Sequence, residues 1–284
     1  MKFAPVVIPR HRLLVAGVLV KRYKRFLADV EVPGHGVVCA HCVNTGAMEG
    51  LIRTGGRVWL SEVPPESDRK LRWTWELAEL ADGTMVGVNT AVPNHVVGQL
   101  LRERLLAPHK RHTALTPEKR YGFDGKRRID FHVAGPGAAE AWIEVKNCHL
   151  VYPDGWAYFP DCVSERAAAH LHELAALADG TMPAAVNGVG AGAGLDGRSA
   201  HVVFFCQWPG ARGVRPSDIH DPAFATAARD AGARGVKFTA LAVRQTPDVT
   251  VVEAILPVDL VPYDPAPAAG WRAANQALRK LGEA

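Results

Sequence analysis

Short stretches of alternating apolar and polar residues, separated by Gly and Pro, make up the first eighty or so residues of the chain. Five stretches follow this pattern, at 13–21, 25–32, 36–40, 57–62 and 71–80. Pro33-Gly34, Gly55-Gly56 and Pro64-Pro65 mark turns between them. Five short strands in so few residues predict a small barrel. An OB-type barrel, a fold that binds single-stranded or irregular nucleic acid, is one candidate.

A different pattern follows, in which helix-period segments alternate with short apolar runs. We expect helices over 95–106, 161–177, 221–231 and 269–281, and strands over 128–133, 141–148, 201–207, 237–244 and 249–256. Asn94 and Asp161 are the expected N-caps of the first two helices. The Gly/Ala-rich run at 188–197 predicts a flexible loop. The fold class is therefore two-domain: an OB-like β-barrel (1–84), then an α/β domain (85–284) with a mixed sheet flanked by helices.

Two neighbouring strands of the second domain carry the candidate chemistry. Alternation places Asp130 on one face of the first strand, and Glu144 with Lys146 on one face of the second. A Gly/Pro-containing link between the strands can form a hairpin, which would bring the three side chains together. Paired carboxylates suit Mg²⁺ or Mn²⁺, and a nearby lysine can orient or deprotonate a water for phosphodiester hydrolysis. A solvated hairpin shows the same pattern, so the residues alone leave both interpretations open.

Three further side chains strengthen the hydrolytic interpretation. Glu118 lies just upstream and could supply a third carboxylate from a helix or loop beside the sheet. Arg166 and His170 are four residues apart on a predicted helix, so both project from one face toward a phosphate or a metal-bound water.

The formal net charge of +4 hides an uneven distribution along the chain. Residues 1–128 carry 21 Lys+Arg and 12 Asp+Glu, a net of +9, whereas residues 129–284 carry a net of −5. Clustered basic side chains can neutralise phosphates, although a solvated surface gives the same composition. The candidate nucleic-acid contacts are Lys21, Arg22, Arg25, Arg69, Lys70, Arg127, Arg128, Arg166 and His170.

Two features argue against membrane and secreted classes. The longest apolar run, at 13–20, is far shorter than the roughly 20 residues of a membrane-spanning helix, and basic residues follow it where a signal peptide needs a cleavage site. Five cysteines in a long chain suit reduced thiols better than a disulfide framework. We therefore expect a cytoplasmic protein without a membrane segment.

Many short motifs occur in one order between about residues 12 and 245. They are FLADVE at 26–31, HCVNTGAM at 41–48, VGVNT at 86–90, PN at 93–94, RIDF at 128–131, EVKN at 144–147 and FPD at 159–161, together with Arg69-Lys70, Tyr121-Gly122, Arg166 and His170-Leu171. In this set the chain resembles the sugar fermentation stimulation protein family, whose members join an N-terminal OB-like domain to a domain of the PD-(D/E)XK nuclease, or restriction-endonuclease-like, fold.

The resemblance implies a DNA-binding protein with a nuclease centre. Asp130, Glu144 and Lys146 match the nuclease motif, and Glu118 matches the upstream acid. Arg127 stands where the family usually has Ser, and Gln207-Trp208 stands where it has Gln-Arg.

The function we expect is divalent-metal-dependent hydrolysis of DNA or RNA, with DNA the favoured partner and Asp130 and Glu144 as ligands of Mg²⁺ or Mn²⁺. A non-catalytic DNA-binding regulator of sugar metabolism genes, which keeps the nuclease fold, is the alternative. A regulator that binds a small molecule between the domains is a third possibility.

Overall fold

The computed structural model describes residues 3–107, 109–182 and 198–283, so the run at 188–197 lies outside the described residues. Its strands are β1 (Val6–Pro9), β2 (Leu14–Tyr23), β3 (Leu27–Val32), β4 (Gly36–His41), β5 (Arg57–Glu62), β6 (Trp73–Glu79), β7 (Met85–Gly87), β8 (Ala114–Tyr121), β9 (Arg127–Gly135), β10 (Ala138–Cys148), β11 (Leu150–Val151), β12 (Trp156–Phe159), β13 (Arg198–Cys206), β14 (Gly213–Pro216), β15 (Lys237–Gln245) and β16 (Val249–Leu256). The helices are α1 (Val92–Arg102), α2 (Glu165–Ala178), α3 (Pro222–Ala233) and α4 (Ala266–Glu283), with a short 3-10 helix at His109–Arg111.

Strands β2 to β6 form a closed five-stranded barrel. They are ordered β4-β3-β2-β5-β6, and the barrel closes where β4 pairs in parallel with β6 through Ala40 and Trp73. Alternation explains the barrel interior, because residues such as Leu19, Val30 and Trp75 are fully buried. The predicted OB-like barrel is confirmed, and each of its five strands lies within about two residues of the predicted bounds.

The second domain is built on a seven-stranded mixed sheet, in the order β1-β16-β15-β13-β10-β9-β8. Strands β10, β13 and β15 are parallel, and the flanking pairs are antiparallel. Helices α2 and α3 pack on one face around Leu171 and Phe224, while α1 packs on the other around Val97 and Leu100. The predicted α/β domain with a mixed sheet flanked by helices is confirmed.

Strand pairing departs from the expected division at residue 84. β1, near the start of the chain, pairs antiparallel with β16 at the far edge of the larger sheet, and β7 continues the barrel sheet to Gly87. Buried Ile8 contributes to the core beneath α1. The N-terminal residues therefore belong to the second domain, and the barrel is inserted between β1 and the rest of that domain.

Two predicted helix starts are wrong. Helix α1 begins at Val92, so Asn94 lies inside its first turn and is not the N-cap. Helix α2 begins at Glu165, with Ser164 as its N-cap: the Ser164 side chain accepts the Ala167 amide. Asp161 instead accepts the Met48 amide at 2.8 Å, which ties the barrel to the second domain.

Among the described residues, none of the helices combines the length and apolar character needed to cross a membrane.

Candidate active site

Asp130 and Glu144 face each other across the β9–β10 hairpin. Phe131 pairs with Ile143, so the next residues along each strand, Asp130 and Glu144, stand opposite one another. The Val145 amide donates to Asp130 Oδ2 at 2.7 Å, so the carboxylate takes the place of a backbone carbonyl as the acceptor for this amide. Its Oδ1 accepts a 2.7 Å hydrogen bond from the Asn94 side chain of α1. The register is the one that the sequence pattern required.

The Glu144 carboxylate is buried, with only 4% of the residue exposed. One oxygen, Oε1, accepts a 2.6 Å hydrogen bond from the Lys146 ammonium and lies 2.7 Å from His170 Nδ1. The other, Oε2, is buried and has no hydrogen-bond partner among the described residues. Glu144, Lys146 and His170 therefore form one compact group on β10 and α2, with one carboxylate oxygen left open.

The pKa values of the two carboxylates are shifted in opposite directions. Burial and the neighbouring Glu144 charge raise the pKa of Asp130 to about 6. Burial also opposes ionisation of Glu144, but Lys146 and His170 outweigh it and lower the pKa of Glu144 to about 2. Both groups are ionised at neutral pH, and Asp130 is the one whose charge is unfavourable.

An open cavity of about 660 Å³ lies in front of the two carboxylates. Acidic and basic groups both line it: Glu118, Asp124, Asp130 and Glu144 on one hand, and Lys126, Arg127, Arg128, Arg166 and His170 on the other. Arg128 and Arg166 are exposed. Cationic side chains therefore lie beside a group of carboxylates. The cationic side chains suit a phosphate, and the carboxylates suit a metal cation.

Glu118 lines the same cavity, but it lies on strand β8 and not on the helix or loop expected for it. Its neighbours Pro117 and Lys119 pair with Phe131 and Ile129, so Glu118 stands opposite Asp130. Its φ of +52° is the left-handed region, which few residues other than Gly adopt. The third predicted carboxylate is therefore near the pair, on a strained segment of backbone.

Four of the predicted nucleic-acid contacts line the cavity, namely Arg127, Arg128, Arg166 and His170. Arg127 also forms a 2.7 Å ion pair with Glu173 on α2, which holds the start of β9 against the helix. The remaining five, Lys21, Arg22, Arg25, Arg69 and Lys70, lie on the barrel, outside the cavity lining.

Arg22 makes structural contacts on the barrel. Its Nη2 donates to the Asn44 and Gly46 carbonyls at 2.9 and 3.1 Å and to the Arg25 carbonyl at 2.6 Å. The Arg25 Nε in turn donates to the Thr45 carbonyl at 2.9 Å. Both guanidinium groups therefore hold the loop that follows β4.

The other barrel candidates are more exposed. Lys21 lies 3.5 Å from Asp29, with 63% of the lysine side chain exposed. Arg69 donates to the Thr74 hydroxyl at 3.2 Å, and both Arg69 and Lys70 are exposed.

Sequence reasoning missed the role of Asn94 as the partner of Asp130. Pro93 was the available signal, because proline is favoured in the first turn of a helix and so indicates a start before residue 94. Asp124 and Lys126, which lie in or beside the β8–β9 turn, were also missed as cavity residues.

Asp130 and Glu144 fit a divalent cation, since Glu144 Oε2 is a buried acceptor that no described residue contacts with a hydrogen bond, and burial makes the Asp130 charge unfavourable. No group of three or more His, Cys, Asp and Glu side chains among the described residues is arranged to hold a metal. A cation here would therefore keep waters or take substrate oxygens, as Mg²⁺ does at sites with one or two carboxylates.

Comparisons with known proteins match both domains. Residues 20–88 match the SfsA N-terminal OB domain, and residues 91–189 and 191–249 match the sugar fermentation stimulation protein RE domain. The solved structure of Pyrococcus furiosus SfsA in complex with Ca²⁺ is 22% identical, with a TM-score of 0.74, and the match covers 91% of this chain and 99% of that one. That likeness concerns the fold.

Curated relatives are closer in sequence. A sugar fermentation stimulation protein homolog of Methylobacterium nodulans is 42% identical over 248 residues, which cover 86% of this chain and 96% of that protein. A homolog of Pseudomonas putida is 39% identical over 263 residues, covering 92% of this chain and all of that protein. The chain belongs to the sugar fermentation stimulation protein family.

Proposed function

We propose that this protein binds nucleic acid, with DNA the favoured partner, and hydrolyses a phosphodiester bond in the cavity between α2 and the β8–β9–β10 strands. The observation that carries the proposal is the Asp130–Glu144 pair: Glu144 Oε2 has no hydrogen-bond partner among the described residues, while Lys146 holds the other oxygen, Oε1. The exposed cations Arg128 and Arg166 at the same cavity support a phosphate ligand.

Asp130 and Glu144 would hold the divalent cation, Mg²⁺ or Mn²⁺. The Ca²⁺ in the Pyrococcus furiosus structure supports a divalent ion in this family member. When bound, such a cation polarises a phosphoryl oxygen and lowers the pKa of a coordinated water. Asn94 keeps the Asp130 carboxylate in place, and His170 does the same for Glu144.

Lys146 would position the attacking water and the exposed arginines would bind the phosphate. The Lys146 ammonium is held 2.6 Å from Glu144 Oε1 and only 13% of its side chain is exposed, so its position is well defined. Arg128 and Arg166 line the cavity from two different elements, β9 and α2. A phosphate contacted by both would be oriented as well as bound.

One observation favours the second candidate, a DNA-binding regulator without catalysis. Glu144 Oε1 already has Lys146 and His170 as partners, so the three side chains hold one another in place without any metal. Such a cluster can be purely structural, because a buried carboxylate needs cationic or hydrogen-bonding partners in any case.

A cleavage assay separates the two functions. The full chain is incubated with labelled single- and double-stranded DNA and RNA in Mg²⁺, Mn²⁺ or EDTA, alongside Glu144→Gln and Lys146→Ala. We expect metal-dependent cleavage that falls at least about 100-fold in both variants, since each loses a group in contact with the reacting atoms.

Glu140→Gln is the matched control. Glu140 lies on the same strand, β10, but its carboxylate contacts His132 at 3.2 Å and does not line the cavity, so the variant should retain wild-type cleavage. If the wild type cuts none of the four substrates in any metal yet still shifts DNA on a gel, hydrolysis is refuted and the regulator remains.

A further inference from the structure

The β8–β9 hairpin ends in an exposed aromatic residue beside the cavity. Phe123 has 51% of its surface exposed, and it is followed directly by Asp124, with Lys126 two residues further on, both of which line the cavity. Resting on the function proposed above, we propose that Phe123 stacks on an unpaired nucleobase next to the phosphate bound in the cavity.

This turn is firmly anchored. Tyr121, just before it, is fully buried, and Gly122 lies so close to α2 that an added Cβ would be 2.8 Å from the Glu173 carboxylate. After the turn, Arg127 forms its 2.7 Å ion pair with the same Glu173. One carboxylate of α2 therefore contacts both ends of the turn, and the Phe123 backbone is held in place.

The turn itself is internally bonded. The Gly125 amide donates to the Gly122 carbonyl at 3.2 Å, and the Lys126 amide donates to the Asp124 side chain at 2.9 Å. Gly122 and Gly125 have φ of +94° and +66°, values that glycine adopts without strain. A fixed turn can present an aromatic ring to a ligand without first being ordered, which lowers the entropic cost of binding.

Exposure alone would carry no weight, since isolated apolar side chains are common on surfaces. The surroundings select the partner. After Asp124, the next cavity residues along the chain are the cations Lys126, Arg127 and Arg128, which suit a phosphate backbone. An aromatic ring next to a basic groove is the arrangement by which proteins bind single strands, because every base has a face to stack on.

The shape and charge of the cavity disfavour a membrane surface as the partner of this ring. A flat anionic membrane would also attract lysines and arginines, but it would have to approach the carboxylates Glu118 and Asp124 that share the cavity. A single strand can instead place a phosphate over the cations and a base on Phe123. The base needs to be unpaired, since a base within a duplex is already stacked on both faces.

The test measures binding of single-stranded 12-nucleotide DNA to the full chain in EDTA, by fluorescence anisotropy. Phe123→Ala and Phe123→Leu should bind roughly 5- to 150-fold more weakly, the range of an aromatic–base stack. Phe123→Trp should bind as tightly as the wild type, because it keeps a ring. Val261→Ala removes an even more exposed apolar side chain that does not line the cavity and should have no effect.

A series of oligonucleotides with one abasic site at each position locates the stacked base. When the abasic site is at the stacked position, the affinity of the wild type should fall to that of Phe123→Ala for the intact oligonucleotide. The affinity of Phe123→Ala should not fall further at that position, which is the signature of a direct contact. Since Phe123 is exposed, unchanged thermal unfolding should show that the variants fold.

Three results would overturn the inference. The first is equal affinity of Phe123→Ala and wild type for every oligonucleotide. The second is a loss of affinity in Phe123→Ala that no abasic position removes. The third is Phe123-dependent binding to vesicles of anionic phospholipid without any such effect on DNA. The first two leave the proposed hydrolysis standing, whereas a wild type that binds neither DNA nor RNA, in EDTA or with Mn²⁺, refutes that function together with the inference.

Discussion

Asp130 should destabilise the metal-free protein at neutral pH, and Asp130→Asn measures this effect. The folded-state pKa of Asp130 is raised to about 6, whereas an aspartate in an unfolded chain ionises near pH ~3.9. Because the folded state holds this proton more tightly, the contribution of Asp130 to stability is fully present below pH ~3.9 and is lost as the pH rises through about 6.

The size of the effect follows from the shift. A difference of about 2 pKa units corresponds to about 3 kcal/mol at about 1.4 kcal/mol per unit. Asp130 is partly accessible, so solvent screening reduces the expected change to about 1–3 kcal/mol. Asparagine cannot titrate, and the hydrogen bond that it loses to Asn94 or Val145 lowers stability by the same amount at every pH.

Histidines act in the opposite direction. Burial lowers the pKa of His109 to about 4 and of His201 to about 3, so both are neutral in the folded protein above those values. Their folded-state pKa values lie below the unfolded value of about 6.5, so they make the protein more stable as the pH rises toward 6.5. The wild-type profile therefore mixes both signs, and only its difference from the Asp130→Asn profile isolates Asp130.

Urea unfolding of the two proteins in EDTA, at pH 4.5, 5.5, 6.5 and 7.5, is the assay. The free energy of unfolding of the wild type minus that of Asp130→Asn should fall by about 1–3 kcal/mol over this range, mostly below pH 6.5. A difference that stays constant within about 0.5 kcal/mol would refute the reasoning. Millimolar Mn²⁺ at pH 7.5 should stabilise the wild type and leave the variant unchanged.

Three other substitutions test the packing and the charge assignments. Gly87→Ala should lower the free energy of unfolding in urea by about 1–3 kcal/mol, because a Cβ there would clash with the side chains of Gln207 and Gln245, and unchanged stability would show that the barrel shifts freely. Arg22→Ala should lower stability by about 1–3 kcal/mol in the same assay, because three carbonyls lose their donor, while the salt dependence of DNA binding stays unchanged. Arg128→Ala should instead keep the wild-type stability, while the slope of log DNA affinity against log salt concentration falls in magnitude by about 1. An unaltered slope would show that Arg128 does not contact a phosphate.

The barrel could be predicted from sequence because its strands have one face in the core and one in solvent. The predicted strand 57–62 matches both observed ends of β5, since Val58 and Leu60 are buried, the residues beside Val58 are more exposed, and a Gly-Gly turn precedes the strand. β8 could not be predicted in this way. It is an edge strand, largely exposed on both faces and interrupted by Pro117, so it carries no alternation that a pattern could detect.

The carboxylate pair could likewise be predicted from local alternation, whereas its supporting contacts could not. Asp130 and Glu144 are joined by a short hairpin, so their register follows from nearby residues. Asn94 reaches Asp130 from a helix 36 residues earlier, and nothing local specifies that contact. The contacts of Arg22 were unpredictable for a related reason: composition shows a charge, but two of the carbonyls that accept its hydrogen bonds lie 22 and 24 residues further along the chain.

The barrel and the candidate active site are joined through buried polar groups at the end of β10. Gln207, which is fully buried, donates to the side chain of Asn147, the residue after Lys146, and Gly87 of the barrel packs directly against Gln207. On the other side, Asp161 accepts the Met48 amide of the barrel and lies 3.3 Å from His149.

Pulling the barrel away would break the Met48–Asp161 and Gly87–Gln207 hydrogen bonds, at a cost of about 1 kcal/mol for each, and would uncover the buried side chain of Gln207. The barrel is therefore held at a fixed distance from Lys146 and Glu144, and it cannot act as a tethered domain that searches independently. A nucleic acid that contacts both the barrel and the cavity would enter the site at a constant offset. Gly87→Ala should accordingly weaken cleavage and barrel packing together, whereas a tethered barrel would lose its packing and leave cleavage intact.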